Sequence, residues 1–194
     1  MTLDITEFDQ LYLHSLLLSK VVERILQRKA KIYLSDKPDF SIVNIVDFMQ
    51  KMRVSSLEKF DVSTYISTVN FYLTEEQMKK NKSVGAIVVY ISEDYVVKLL
   101  KKLGYPNFDE DDADVLRDAC GTFCNIIGAK FKEGLTQLGY PELFMSHFSS
   151  YRNEIVNGVD YDSNQKQKYE LSFEIDGHKR IIIDLTLGYI PKEF

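Results

Sequence analysis

Val115-Leu116-Arg117-Asp118-Ala119-Cys120-Gly121-Thr122-Phe123-Cys124-Asn125-Ile126-Ile127-Gly128-Ala129-Lys130-Phe131 is the stretch on which the reading of this chain turns. Asp109-Glu110-Asp111-Asp112 precede it and supply negative charge and N-cap candidates. Leu138-Gly139-Tyr140-Pro141 closes it, with Gly just past the last turn and Pro soon after. The pattern predicts one helix from about Asp112 to Leu138. At about 100° per residue, Leu116, Ala119, Cys120, Phe123, Ile127 and Phe131 fall on one side and form a core face. Asp118, Thr122, Asn125 and Ala129 lie opposite.

That outer stripe is flanked by Gly121 and Gly128, each costing about 1 kcal/mol relative to Ala in a helix interior. It also lacks the long Lys and Glu side chains that usually coat a solvated helix. Small residues let another backbone approach closely. Two readings stay open from the residues alone: the face packs inside the domain against the first helix, or it receives a partner, with Gly121, Gly128 and Ala129 as docking positions.

Outward from this helix the elements alternate. Thr6 with Asp9 resembles a capping pair, followed by helically spaced Phe8, Leu11, Leu16, Leu18, Val22, Ile25 and Leu26 up to Arg28-Lys29-Ala30-Lys31. His14, within this helix, has no second ligand or nucleophile near it in sequence and reads as a packed or surface histidine. Phe40 to Phe48 fits a strand or a short helix, because a short apolar run decides neither. Tyr65 to Leu73 and Val84 to Ile91 are rich in β-branched and aromatic residues and read as two strands of a long-looped hairpin. Ser92 starts a helix that ends at Leu103-Gly104-Tyr105-Pro106, the same four letters that stop the longer helix. A duplicated unit and good stop chemistry used twice both account for that repeat.

Asp160 to Gln167 is polar and reads as a loop. Tyr169, Leu171, Phe173 and Ile175 then alternate with polar residues. After Asp176-Gly177, Ile181, Ile183, Leu185 and Leu187 do the same. Asp-Gly between two alternating runs is a strong hairpin signal, and His178 beside it reads as solvated. Strands and helices without βαβ spacing imply an α+β fold, a mainly antiparallel sheet packed against long helices.

The chain has 194 residues, enough for one domain with a real core and short for two. A net charge of −5 argues against a nucleic-acid binder, which needs a basic face. No apolar run approaches the ~20 residues of a membrane span, and the N-terminus lacks a basic start followed by an apolar stretch. Cys120 and Cys124, one turn apart in an apolar pattern, read as buried reduced thiols, so the expected compartment is the cytoplasm.

Asp118-Ala119-Cys120-Gly121-Thr122-Phe123-Cys124-Asn125-Ile126-Ile127 resembles the signature helix of the CheC/CheX/FliY chemotaxis phosphatases, and CheX most. That signature carries Asp or Ser, then Glu four positions on, then Asn three further on. Asp118 and Asn125 match its first and last positions, and Ala119, Gly121 and Lys130 stand in family-like places. The likeness extends back through Val84-Gly85-Ala86-Ile87-Val88-Val89-Tyr90 and forward to the closing strands. The whole chain is then one CheX-like domain, with residues 35–64 as a candidate insertion atypical of the family.

The resemblance implies a chemistry. Family members dephosphorylate CheY-like response regulators by laying this helix over the phosphorylated aspartate. The asparagine amide orients the attacking water, and the acidic residue pairs with a lysine of the regulator. On this chain those roles fall to Asn125, Asp118 and the position of Thr122. Thr122 stands where the family has Glu, and a hydroxyl cannot form the charge-assisted bond of a carboxylate. The Mg²⁺ belongs to the regulator, so no cofactor of the chain's own is implied. The resemblance therefore supports a weakened phosphatase, or an adaptor that binds a regulator or flagellar-switch component without hydrolysis. The first helix has no matching acidic-x-x-Asn, which leaves one site at most. CheX-like relatives dimerise through sheet strands, and the closing hairpin, apolar on one face, is expected to offer an uncovered edge for a homodimer.

Overall fold

The computed structural model describes residues 7–57 and 59–193, with side chains from Gln10 onward. The Thr6–Asp9 capping pair and the Phe8 side chain lie outside the described residues. The chain begins with α1 (Glu7–Ile25), which runs into a π-helical turn, Leu26–Ala30. Then come β1 (Asp39–Asn44), β2 (Val46–Phe48), β3 (Lys51–Ser55), β4 (Thr64–Tyr72), α2 (Glu75–Lys79), β5 (Gly85–Ser92) and α3 (Glu93–Lys102). The long helix α4 (Ala113–Gln137) is next, and the chain closes with β6 (Phe144–Met145), β7 (Ser149–Arg152), β8 (Ile155–Val159), β9 (Gln167–Ile175) and β10 (His178–Leu187).

The main sheet is antiparallel, in the order β1-β9-β10-β5-β4, with both β6 and β7 pairing along the far edge of β4. One face carries Ile87, Val89, Ile91, Leu171, Phe173, Ile181, Ile183 and Leu185, and packs in one cluster with the apolar sides of α1, α3 and α4. This is the α+β arrangement that the alternating elements imply. The other face lies under a second sheet, β2-β3-β8. Met52, Val54, Val156 and Val159 of that small sheet bury Ile66, Val88, Tyr90 and Ile182. Within residues 35–64, β1 builds the sheet's outer strand, and β2 and β3 build much of the layer over its second face.

Local chemistry explains the breaks. Gly104 and Gly139 both sit at positive φ, +89° and +90°. At the first, Gly104 N–H donates to Lys101 O and Tyr105 N–H to Leu100 O; at the second, Gly139 N–H donates to Thr136 O and Tyr140 N–H to Leu135 O. Both are the same Schellman closure. Asp176 and Gly177, at φ +53° and +76°, make the tight turn between β9 and β10, and His178 is exposed beside it.

Several expectations change. Phe40 to Phe48 is two strands, parted at Ile45, whose N–H donates to Lys166 O at 2.9 Å. The polar link between β4 and β5 holds the short helix α2, capped by Thr74, whose hydroxyl accepts from Gln77 N–H at 3.1 Å. The closing hairpin is not an edge: β9 lies between β1 and β10, and β10 between β9 and β5. The edge argument for a homodimer through that hairpin therefore falls away, because β1 already occupies the position a second chain would need. His14 is packed, 1% exposed, with its ring edge-on to Tyr140 at 4.9 Å.

The layer between the sheets contains charge. Asp184 is fully buried, and its Oδ2 accepts from Lys168 Nζ at 2.8 Å and Tyr90 Oη at 2.9 Å. Lys59 pairs with Glu170, directly across from Asp184 on β9, and lies over the Tyr90 ring at 4.8 Å. Burial, and then the Asp184 charge, push the Tyr90 phenol well above its ordinary pKa. The network joins the segment before β4 to the centre of the main sheet.

Candidate functional site

The long helix is set by its ends and its apolar side. Asp112 caps it, its Oδ1 accepting from Asp114 N–H at 2.9 Å and Val115 N–H at 3.3 Å. Leu116, Ala119, Cys120, Phe123, Ile127 and Phe131 are all buried, as their spacing predicts. Phe131 meets Phe71 of β4 with ring centroids 5.7 Å apart. Both cysteines are buried and free. Burial pushes the Cys120 thiol up to about 12 and the Cys124 thiol higher still, so neither is a thiolate nucleophile at neutral pH.

The outer stripe divides into two parts. Asp118 and Ala129 are exposed, and Thr122 and Asn125 are half-buried. Gly121 and Gly128 are buried on the shoulder that faces the β6–β7 segment. A Cβ on Gly121 would stand 2.1 Å from Phe148 Cδ2 and 2.6 Å from Ser150 Oγ. One on Gly128 would stand 2.7 Å from Met145 Sδ and 3.0 Å from Val69 Cγ2. The two glycines therefore serve close packing within the chain, and their assignment as docking positions is corrected. The first helix is not their neighbour: α1 reaches α4 at Gly134, where a Cβ would meet Leu17 Cδ1 at 3.0 Å. Gly134 lies nine residues beyond Asn125, which at about 100° per residue is half a turn around the helix.

What remains outside is Asp118, Thr122, Asn125 and Ala129. Thr122 Oγ1 donates back to Asp118 O at 3.1 Å, the usual habit of a helical threonine. Among the described residues, neither the Asp118 carboxylate nor the Asn125 amide has a side-chain partner in the chain. An unengaged amide at a half-buried position can both donate to and accept from a ligand or water. Tyr105, from the first Leu-Gly-Tyr-Pro, stands beside Thr122. Burial raises its phenol, and the Thr122 hydroxyl opposes that rise. In the sequence Tyr105 is only part of a helix stop, and Phe148, which walls the other side, stands in no motif. Nothing in the spacing signals either, since both arrive from loops.

No family model and no curated protein matches this chain. Solved structures do. A chemotaxis protein CheX from Desulfovibrio desulfuricans superposes with a TM-score of 0.58 at 13% identity, covering 90% of this chain and 98% of the other. The chain has the CheC/CheX/FliY fold. A CheC-like superfamily protein from Shewanella gives 0.57 at 17% identity, over 89% and 95%. FliY from Thermotoga maritima gives 0.53 at 13% identity, over 96% and 92%. On this CheX-like fold, no described helix is long and apolar enough to cross a membrane. The described residues hold no group of three or more His, Cys, Asp or Glu able to bind a metal.

Proposed function

We propose that this chain is a CheX-like protein that docks a CheY-like response regulator on the outer stripe of α4 and acts there as a weakened aspartyl-phosphate phosphatase. The observation that carries the reading is the unengaged, half-buried amide of Asn125 between exposed Asp118 and Ala129, on a fold shared with CheX. Asn125 orients the attacking water toward the regulator's phosphorylated aspartate, and Asp118 faces the regulator about two turns earlier. Mg²⁺ is the regulator's own ion. Ala129 leaves room for the regulator's backbone at the end of the stripe.

A second reading has its own support. The Thr122 hydroxyl is engaged by the Asp118 carbonyl, so the position where the family has a carboxylate offers the regulator neither charge nor a free donor. On that ground the chain is an adaptor, which binds the regulator and leaves its phosphate in place.

The decay of acyl phosphate on a cognate regulator separates the two, once binding to that regulator is established. A phosphatase shortens the phosphate's lifetime at substoichiometric amounts, and Asn125→Ala abolishes the effect. Thr122→Glu supplies the absent charge and should accelerate decay. A charge-assisted bond of roughly 1.5–3 kcal/mol corresponds to about one to two decades in rate. Decay unchanged by wild type and by Thr122→Glu, with binding intact, leaves the adaptor reading.

A further inference from the structure

A groove of about 330 Å³ runs between α1 and the C-terminal half of α4. Its floor is apolar. Leu17 and Val21 are half-buried and pack on the main core, and Gly134 faces Leu17 so closely that a side chain at Gly134 would begin to fill the space. Its wall is basic: Arg24, then Arg28 and Lys29 on the π-helical turn, with Lys130 across from them. The one carboxylate lining it, Glu133, is held by Lys130 at 2.8 Å. Among the described residues, Arg24, Arg28 and Lys29 have no ion-pair partner. Most of the chain's other charge is acidic, for a net of −5, so this concentration of unpaired cations is local.

Basic residues at a helix C-terminus answer the helix dipole, and that accounts for their presence. It does not account for their standing over an apolar floor. The helix closes there in a π-turn, Lys31 standing left-handed at φ +55° with its N–H donating to Leu26 O, an ordinary ending at a helix C-terminus. Here the turn carries Arg28 and Lys29, which line the groove with Arg24. The lining positions on α1 and its π-helical end run from Leu17 to Lys29, about 18 Å along the helix axis. That is the length of three turns of a helix lying in a helix–helix groove, the mode in which an amphipathic helix seats apolar anchors at i, i+3/i+4 and i+7.

We propose that this groove receives an acidic amphipathic helix of a partner protein, its apolar face on Leu17, Val21 and Gly134 and its carboxylates on Arg24, Arg28 and Lys29. Gly134 and Asn125 face opposite ways on α4, while Lys130 and Glu133 of the groove wall adjoin Ala129, so the groove meets the stripe at that end. The groove would then join a second protein to the regulator-docking domain.

The probe is a fluorescein-labelled peptide of about five helical turns, with Leu at the anchor positions and Glu elsewhere on the flanks. A twin carrying Lys for Glu serves as control. Fluorescence anisotropy should report saturable binding of the Glu peptide to the full chain, weakened by added salt, and none of the Lys twin. Arg24→Glu/Arg28→Glu should weaken it by about tenfold or more, with the thermal midpoint and regulator binding unchanged. If that doubly reversed variant is destabilised, Arg24→Gln/Arg28→Gln gives the same comparison without repulsion. Equal binding by wild type and variant overturns the proposal, as does no binding of the Glu peptide at millimolar concentration. So does recruitment to phosphatidylserine vesicles without peptide binding, which would make the groove a membrane contact.

Discussion

Replacing Gly121 by Ala tests whether the small residues of α4 serve the chain's own packing. In an exposed helix the change gains about 1 kcal/mol. Here the new methyl would arrive 2.1 and 2.2 Å from Phe148 Cδ2 and Cε2 and 2.6 Å from Ser150 Oγ. Carbon atoms rest at about 3.5–4.0 Å, so the ring must retreat by roughly 1.5 Å. Phe148 is half-buried and can move. Ser150 is tied to Ser67 Oγ at 2.8 Å and paired with β4, which limits the retreat. Against a ring and a tethered hydroxyl the cost falls in the upper part of the overpacking range, about 2–3 kcal/mol, leaving a net loss of about 1–2 kcal/mol after the helix gain. Gly128→Ala should cost less, because the nearest atom is the flexible end of Met145. Urea unfolding measures both. In a Phe148→Ala background the ring clash disappears and only the Ser150 Oγ contact remains, so the loss from Gly121→Ala should shrink, a coupling of at least about 1 kcal/mol. A neutral or stabilising Gly121→Ala in the native background refutes the packing account, and so does an equal loss in both backgrounds.

Two further outcomes concern ionised groups. Lys168→Met should destabilise by about 3–5 kcal/mol, because it removes the closer of the two cations beside the buried Asp184 carboxylate; a loss under about 1 kcal/mol in urea unfolding contradicts a charged Asp184. His14 is buried without a hydrogen-bond partner among the described residues, and burial, then Lys192, lowers its pKa from 6.5 to about 4. The unfolded chain binds the extra proton in that window, so stability falls as pH drops from 6.5 toward 4, by about 3 kcal/mol in all. His14→Leu should remove that part of the slope, and an identical slope in wild type and variant would falsify the assignment.

How far the fold could be read depended on which residues report locally. The Asp176-Gly177 turn, the two Leu-Gly-Tyr-Pro stops and the apolar side of α4 each encode their geometry within a few residues, and each stands in the structure as the spacing predicts. Phe40 to Phe48 does not encode its own division. It splits at Ile45 because its first half pairs with β9 and its second with β3, partners that the run itself does not specify. The same holds for the closing hairpin: alternation identifies its strands but not their place inside the sheet, which β1 decides from the other end of the chain. On α4 the helical phase located the stripe of Asp118, Thr122, Asn125 and Ala129. It could not separate that stripe from the glycine shoulder, because much of what covers Gly121 and Gly128 comes from β6, β7 and the loop between them.

The central claim is that a response regulator docks on the outer stripe of α4. Its most direct test is a binding titration of a cognate phosphorylated regulator against wild type, Ala129→Arg and Asn157→Arg. Ala129 is exposed on the stripe, and Asn157 is exposed on the small sheet, on the other side of the main sheet. Arginine at position 129 should cost about 2 kcal/mol or more, at least about thirtyfold in Kd, by holding the regulator's backbone off the helix. Arginine at position 157 should leave Kd within about twofold. Equal affinity for all three chains would mean that the regulator binds elsewhere, and loss with Asn157→Arg alone would move the site to the three-stranded sheet.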